Sequence, residues 1–132
     1  MNRIAPERFE NLTADVFETL RKFVAEGRRF DMVILDPPKF IESKRVLMQG
    51  SRAYQDIARF GFRLLQPGGV LVNFSCSGLM TPELFQKITA DAATEAGVRG
   101  VICRRLEQSP DHPVSLAVPE GFYLKGLVTR ID

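Results

Sequence analysis

Phe30-Asp31-Met32-Val33-Ile34-Leu35-Asp36-Pro37-Pro38-Lys39-Phe40 decides the fold. Met32 to Leu35 is an unbroken apolar run, β-branched at Val33 and Ile34 and bracketed by acids. Such a run reads as a strand covered on both faces, as strands are inside a parallel sheet. Pro37 and Pro38 have no N–H to offer a neighbouring strand, so the strand must stop at Asp36. The stretch therefore holds a carboxylate on a stiff turn at the carboxyl end of a central strand. In open α/β sheets that edge is where ligands bind. An acid, two prolines and Lys39 in such a place point to chemistry more than to packing.

Around this stretch the chain is expected to form one domain. Its 132 residues suffice for a core, and 45% hydrophobic with 26% charged content reads as globular rather than disordered. No apolar run reaches membrane-spanning length, and no basic-then-apolar leader opens the sequence, so a soluble, cytoplasmic protein with no membrane partner is expected. Cys76 and Cys103 make no disulfide framework. Neither stands in metal-ligand spacing with the single His112, so no metal site is expected. The net charge of +2 is too small to imply nucleic-acid binding by itself. Between Lys39 and Arg63, however, six bases (Lys39, Lys44, Arg45, Arg52, Arg59, Arg63) face only Glu42 and Asp56. That excess reads either as a solvated helix face or as a phosphate-contacting surface, and charge alone favours the former.

Before the strand, Phe9 to Ala14 could extend, though its alternation is poor. Asp15 is a plausible N-cap for a helix that buries Val16, Phe17, Leu20, Phe23 and Val24, with Glu18 completing a capping box and Gly27 ending it. After the strand comes a polar loop over 40–50, then a helix capped by Ser51 that buries Tyr54, Ile57, Ala58, Gly61, Leu64 and Leu65. Gln66-Pro67-Gly68-Gly69 turns the chain into a strand over 70–75. Thr81-Pro82-Glu83 starts a third helix that Gly97 closes. Strands follow over 98–106 and 122–130, joined by a proline-rich loop without a helix, so this last pair should be antiparallel. The alternation predicts an α/β fold, a Rossmann-like, mostly parallel sheet with helices on both faces and a C-terminal antiparallel strand.

Two strand ends matter chemically. Strands joined by one crossover helix are usually neighbours, so Asp36 and Cys76 should face one crevice. In Phe74-Ser75-Cys76-Ser77-Gly78, the cysteine is either a small buried hydrophobe or a thiolate nucleophile favoured by a helix N-terminus and Lys39. Its place at the strand end and its serine neighbours favour the nucleophile. Cys103, inside an apolar strand, is expected in the core. Tyr54 reads as core, Lys125 as a lysine whose stem is buried, and Asp111-His112 as more often structural than catalytic.

Asp36-Pro37-Pro38-Lys39-Phe40, Tyr54-Gln55-Asp56-Ile57, Pro67-Gly68-Gly69, Phe74-Ser75-Cys76-Ser77, Asp111-His112-Pro113 and Pro119-Glu120-Gly121-Phe122-Tyr123-Leu124-Lys125-Gly126 occur in that order. From about Arg8 onward the chain resembles the C-terminal part of class I S-adenosylmethionine-dependent methyltransferases that make 5-methylcytosine in large-subunit ribosomal RNA. The resemblance implies that Cys76 is the nucleophile and Asp36 the acid of the Asp-Pro-Pro turn. It implies cofactor contacts at Asp15, Asp36 and Pro37, with S-adenosylmethionine as cofactor. It implies substrate contacts at Pro38, Lys39, Phe40, Ser75, Ser77 and His112, with ribosomal RNA as partner. An amino-group nucleic-acid methyltransferase using the Asp36-Pro37-Pro38 turn, and a non-catalytic remnant that binds RNA or a partner, are the rival readings.

The family's opening strand and glycine-rich turn have no counterpart here, since no Gly-x-Gly occurs in the sequence. Residues 1–132 are therefore expected to be the C-terminal part of a methyltransferase domain truncated on its N-terminal side. The Asp31–Asp36 strand should then be an exposed apolar edge that invites a second copy, giving a homo-oligomer, or else the N-terminal segment is displaced.

Overall fold

A computed structural model describes residues 5–107 and 124–132. Three helices, α1 (Val16–Ala25), α2 (Leu47–Arg63) and α3 (Pro82–Ala96), alternate with β1 (Phe30–Leu35), β2 (Leu65–Ser75) and β3 (Gly100–Glu107), and β4 (Lys125–Ile131) closes the chain. The four strands form one sheet in the order β1-β2-β4-β3. β1 and β2 are parallel neighbours, as the single crossover helix predicts. β4 runs antiparallel to both β2 and β3, so the first three strands share a direction and the last inserts between two of them. The fold is α/β with a mostly parallel strand direction, as the sequence alternation predicts.

The helix boundaries follow their caps. The Asp15 carboxylate accepts the Glu18 N–H at 3.0 Å and starts α1, which Gly27 ends at a φ of 73°. The Thr81 hydroxyl accepts the Leu84 N–H at 3.1 Å, and Gly97, at a φ of 75°, closes α3. Three local expectations change. Residues 9–14 form no strand, consistent with their poor alternation. α2 begins at Leu47, not after Ser51, because a 3-10 turn at Lys44–Val46 runs straight into it. β2 begins at Leu65, and Gln66-Pro67-Gly68-Gly69 forms a bulge inside it rather than a separating turn: Phe30 pairs with Leu65 but Met32 with Val70. Gly68 takes a φ of 79° there, and a Cβ on Gly69 would sit 2.8 Å from the Gln66 carbonyl oxygen.

One helical layer covers one face of the sheet. Leu35, Leu71 and Ile131 from the strands pack with Ile57, Ala58 and Phe62 of α2 and Ala92 and Ala93 of α3, and Phe17 and Leu20 of α1 lean on the same cluster. A second cluster of Ile41, Tyr54, Met80, Phe85, Ile88 and Leu127 lies nearer the carboxyl edge. Among the described residues no helix covers the other face, so the expectation of helices on both faces does not hold. Met32 and Ile34, 54% and 62% exposed, open onto that bare face. β1 is therefore an edge strand buried on one face only, not a central strand buried on both. Phe74 lies on the same bare face over Gly126, where any Cβ would come within 2.6 Å of its ring.

Half of the basic stretch is engaged by acceptors on α2 and α3, although of its six bases only Arg59 is partly buried. Arg59 binds Asp56 at 3.1 Å and Glu95 of α3 at 2.9 Å, and Arg63 donates to the Glu95 carbonyl oxygen at 3.3 Å. Arg52 lies 3.6 Å from Asp56, and Gln55 also donates to the Glu95 carboxylate. The Arg59 hydrogen bond holds the Glu95 carboxyl below the ordinary glutamate value. A carboxylate whose pKa is lowered on folding stabilises the fold above its unfolded value and loses that contribution as pH falls through the folded one. Glu95→Gln should therefore lower the melting temperature at neutral pH, and the gap from wild type should close as acid protonates Glu95. Thermal unfolding across pH 7 to 3 reads this, and a gap that persists undiminished in acid would refute it.

Candidate active site

The carboxyl edge of the sheet gathers the chemistry. Leu35 of β1 is in register with Asn73 of β2, so Asp36 and Cys76 leave the sheet along the same edge. Asp36, Pro38 and Lys39 are exposed there, and Pro37, Phe40 and Cys76 are half-buried. An open cleft of about 330 Å³ lies between the start of α1 and the end of β1, with Val16, Phe17, Ile34, Asp36, Pro37 and Phe40 among its walls. Its sides are apolar and its rim carries one carboxylate. A planar heteroaromatic group fits such a slot, with the acid free to accept from an amino or hydroxyl group. Asp15 sits at the same helix start, exposed, and its carboxylate already caps α1.

The loop after β2 is fixed from below. Ser75 and Ser77 are both fully buried. The Ser77 N–H donates to the Ser75 hydroxyl at 3.3 Å, and the Ser77 hydroxyl lies 2.7 Å from that of Tyr54 and accepts the Ile41 N–H at 3.3 Å. The Tyr54 hydroxyl in turn accepts the Phe40 N–H at 3.3 Å. Tyr54 is thus a core residue by burial, as its helical spacing predicts, but its hydroxyl ties two loops together. The burial of the two serine hydroxyls is at odds with direct substrate contact. A Tyr on an apolar helical face, followed later by Ser-x-Ser at a strand end, was the available signal, since a buried hydroxyl must find a partner.

Lys125 supplies the charge at the cysteine. Its register puts it opposite Ser75 of β2 and Glu107 of β3, and its Nζ donates to the Ser77 carbonyl oxygen at 2.8 Å. Burial pushes its ammonium below the ordinary lysine value, and the proximity of Cys76 pulls the other way. Lys39, the other cation expected near Cys76, is exposed. A second cavity of about 270 Å³ lies on the far side of the Cys76 loop, bounded by Gly78, Met80, Thr81, Arg105, Glu107 and Lys125. Cys103 is exposed rather than core, because β3 bulges between Ile102 and Arg104 and turns it off the ladder. Asp111 and His112 lie outside the described residues.

A half-buried cation beside a thiol favours the thiolate. Lys125→Met should slow iodoacetamide alkylation of Cys76 near neutral pH, with Cys103 as the internal control, and Lys125→Arg should slow it less. Peptide mass spectrometry separates the two cysteines. An unaltered Cys76 rate in Lys125→Met would remove Lys125 from the site.

No protein-family profile matches the chain. It is 48% identical over 131 residues to ribosomal RNA large subunit methyltransferase I of Pseudoalteromonas atlantica, covering 99% of this chain and 33% of that protein. It is 54% identical over 123 residues to the enzyme of the same name from Tolumonas auensis, covering 93% of this chain and 30% of that protein. The chain thus spans about a third of the length of these relatives. Among solved structures, a protein described as a methyltransferase and crystallised with SAH superposes with a TM-score of 0.72 at 22% identity, over 89% of this chain and 30% of that one. A protein described as a SAM-dependent methyltransferase from Streptococcus mutans gives 0.71 at 21% identity, over 89% of this chain and 29% of that one. The chain therefore carries part of a methyltransferase fold and is similar over nearly its whole length to about a third of ribosomal RNA large subunit methyltransferase I.

Proposed function

We propose that this chain is the catalytic part of a SAM-dependent methyltransferase that methylates cytosine C5 in large-subunit ribosomal RNA, with Cys76 as the nucleophile. One observation carries the reading: a half-buried cysteine leaves the carboxyl edge of the sheet beside the Asp36-Pro37-Pro38 turn, with Lys125 as its cationic neighbour. The names of the relatives support the methyl transfer and the RNA.

Cytosine C5 is a weak nucleophile. Addition of the Cys76 thiolate to C6 makes C5 enamine-like and able to take a methyl group. S-adenosylmethionine, when bound, supplies an electrophilic methyl. Asp36 holds the polar edge of the ring and stabilises the charge that develops on it. Removal of the C5 proton by a base then lets the C6–S bond break, returning the electron pair to sulfur and restoring the ring. The cleft between α1 and β1 suits the purine end of the cofactor, with Phe17, Ile34 and Pro37 as its walls. Pro38, Lys39 and Phe40 extend the turn toward the RNA, and Asp15 contributes to the cofactor through the start of α1 that it caps. Ser75 and Ser77 shape the Cys76 loop from inside, and His112 is proposed as a substrate contact. The domain assignment follows the resemblance: residues 1–132 form the C-terminal part of the methyltransferase domain. The bare face beside Met32 and Ile34 is the surface on which a second copy or further chain would pack.

A chimera tests the reaction. This chain, substituted for its matching third of the Tolumonas auensis relative, should methylate RNA and form a covalent adduct with 5-fluorocytosine-containing RNA, and Cys76→Ser should abolish both. Methylation that survives Cys76→Ser, with no adduct, would sink the nucleophile and favour transfer to an exocyclic amine through the Asp36-Pro37-Pro38 turn. A chimera that binds RNA but neither methylates nor takes up heat-detectable S-adenosylmethionine would favour the non-catalytic reading.

A further inference from the structure

The Cys76 loop and the Asp36 turn belong to different strands, yet they share one buried set of hydrogen bonds. Every polar group of Ser77 is engaged. Its N–H goes to Ser75, its hydroxyl to Tyr54 and Ile41, and its carbonyl oxygen accepts both the Met80 N–H at 3.1 Å and Lys125 Nζ at 2.8 Å. Tyr54 reaches this hub from α2. Its ring is 2% exposed and packs edge-on against Phe40 at 4.7 Å and Phe85 at 6.2 Å. Its hydroxyl accepts the Phe40 N–H while pairing with the Ser77 hydroxyl. Two main-chain donors from the turn thus end on two side-chain hydroxyls that are bonded to each other. Neither amide can turn to another partner without leaving a buried group unpaired.

We infer that Tyr54 is a positioning residue, which through Ser77 fixes the spacing between the Asp36-Pro37-Pro38 turn and the Cys76 loop. This rests on the reading of Cys76 as nucleophile. Tyr54 touches neither the reacting thiol nor the turn's carboxylate. It sets where the two backbones stand, so that sulfur and acid meet one base. Tyr54→Phe removes a single oxygen and keeps the ring contacts. It strands the Phe40 N–H and frees the Ser77 hydroxyl, and the loops then sample a wider spacing. Misplacement of reacting groups by about 1 Å can lower turnover on the order of 10²-fold.

The test uses the chimera described above and the chain itself. In the chimera, Tyr54→Phe should lower kcat by about 10²-fold and leave KM for RNA and for S-adenosylmethionine within about twofold. Ser77→Ala should lose a similar factor, and the double variant should lose no more than either single one, because both remove the same link. In the chain, Tyr54→Phe should speed alkylation of Cys76 by about threefold or more as its loop loosens, with Cys103 unchanged. A kcat within about twofold of wild type, or losses that multiply in the double variant, overturns the inference. Should Tyr54→Phe not fold, Ser77→Ala is read in its place against the same kcat and alkylation outcomes. If Cys76→Ser still methylates, the nucleophile reading has failed. The non-additivity of Tyr54 and Ser77 then still decides whether the link between the loops holds.

Discussion

Ser77 has no exposure to water and no polar atom to spare. That is the constraint on which the carboxyl edge depends. A buried hydroxyl or amide left unpaired costs about 1–3 kcal/mol, so the arrangement that satisfies all of them at once is strongly preferred. It draws together four pieces of chain: the turn after β1, α2 through Tyr54, the loop after β2, and β4 through Lys125. Successive pieces are linked across 14, 23 and 48 residues of sequence, and none of them could hold the loop alone.

The sheet makes this meeting possible. Parallel pairing of β1 with β2 brings two carboxyl ends side by side, and insertion of β4 antiparallel brings the first residue of that strand, Lys125, to the same edge. A fully parallel order would have delivered the opposite end of the last strand. The bulge at Gln66–Gly69 lets β2 start early against Phe30 and still reach the register that sets Leu35 beside Asn73. The helices then pack as one layer, with α2 against α3 and the arginines of α2 closing on Glu95. Of what reads in the sequence as a basic stripe, Arg59 and Arg63 help close a helix–helix seam on Glu95, while Lys39, Lys44, Arg45 and Arg52 are exposed without reaching α3. The other sheet face is left bare, with Val101 56% exposed on β3 at the opposite edge from Met32 and Ile34 on β1, and a surface of that character is suited to further packing.

Local signals carried much of the fold. Caps, glycines and prolines placed α1 and α3 nearly to the residue, because an N-cap or a left-handed C-cap is set by a few adjacent side chains. Apolar runs placed the strands, but their burial was harder to read. Met32 to Leu35 looks like a strand covered on both faces, although one face is open, since periodicity reports what a strand can bury and not what is present to cover it. Cys103 was misread for a related reason: a single bulge reverses the face of a residue, and nothing in Val101-Ile102-Cys103-Arg104 announces it.

The sequence by itself determined the order of elements, the stop at Asp36 and the cysteine at the end of the next strand. These follow from backbone chemistry that acts over a few residues: proline's missing donor, β-branching and capping. Only the tertiary structure decided which charge stands by Cys76, which hydroxyls are buried, and that Tyr54 joins the two loops. Those outcomes depend on strand register and on helix packing across 23 residues from Tyr54 to Ser77 and 48 from Ser77 to Lys125. No local pattern encodes them, because the partners exist only once the sheet has formed.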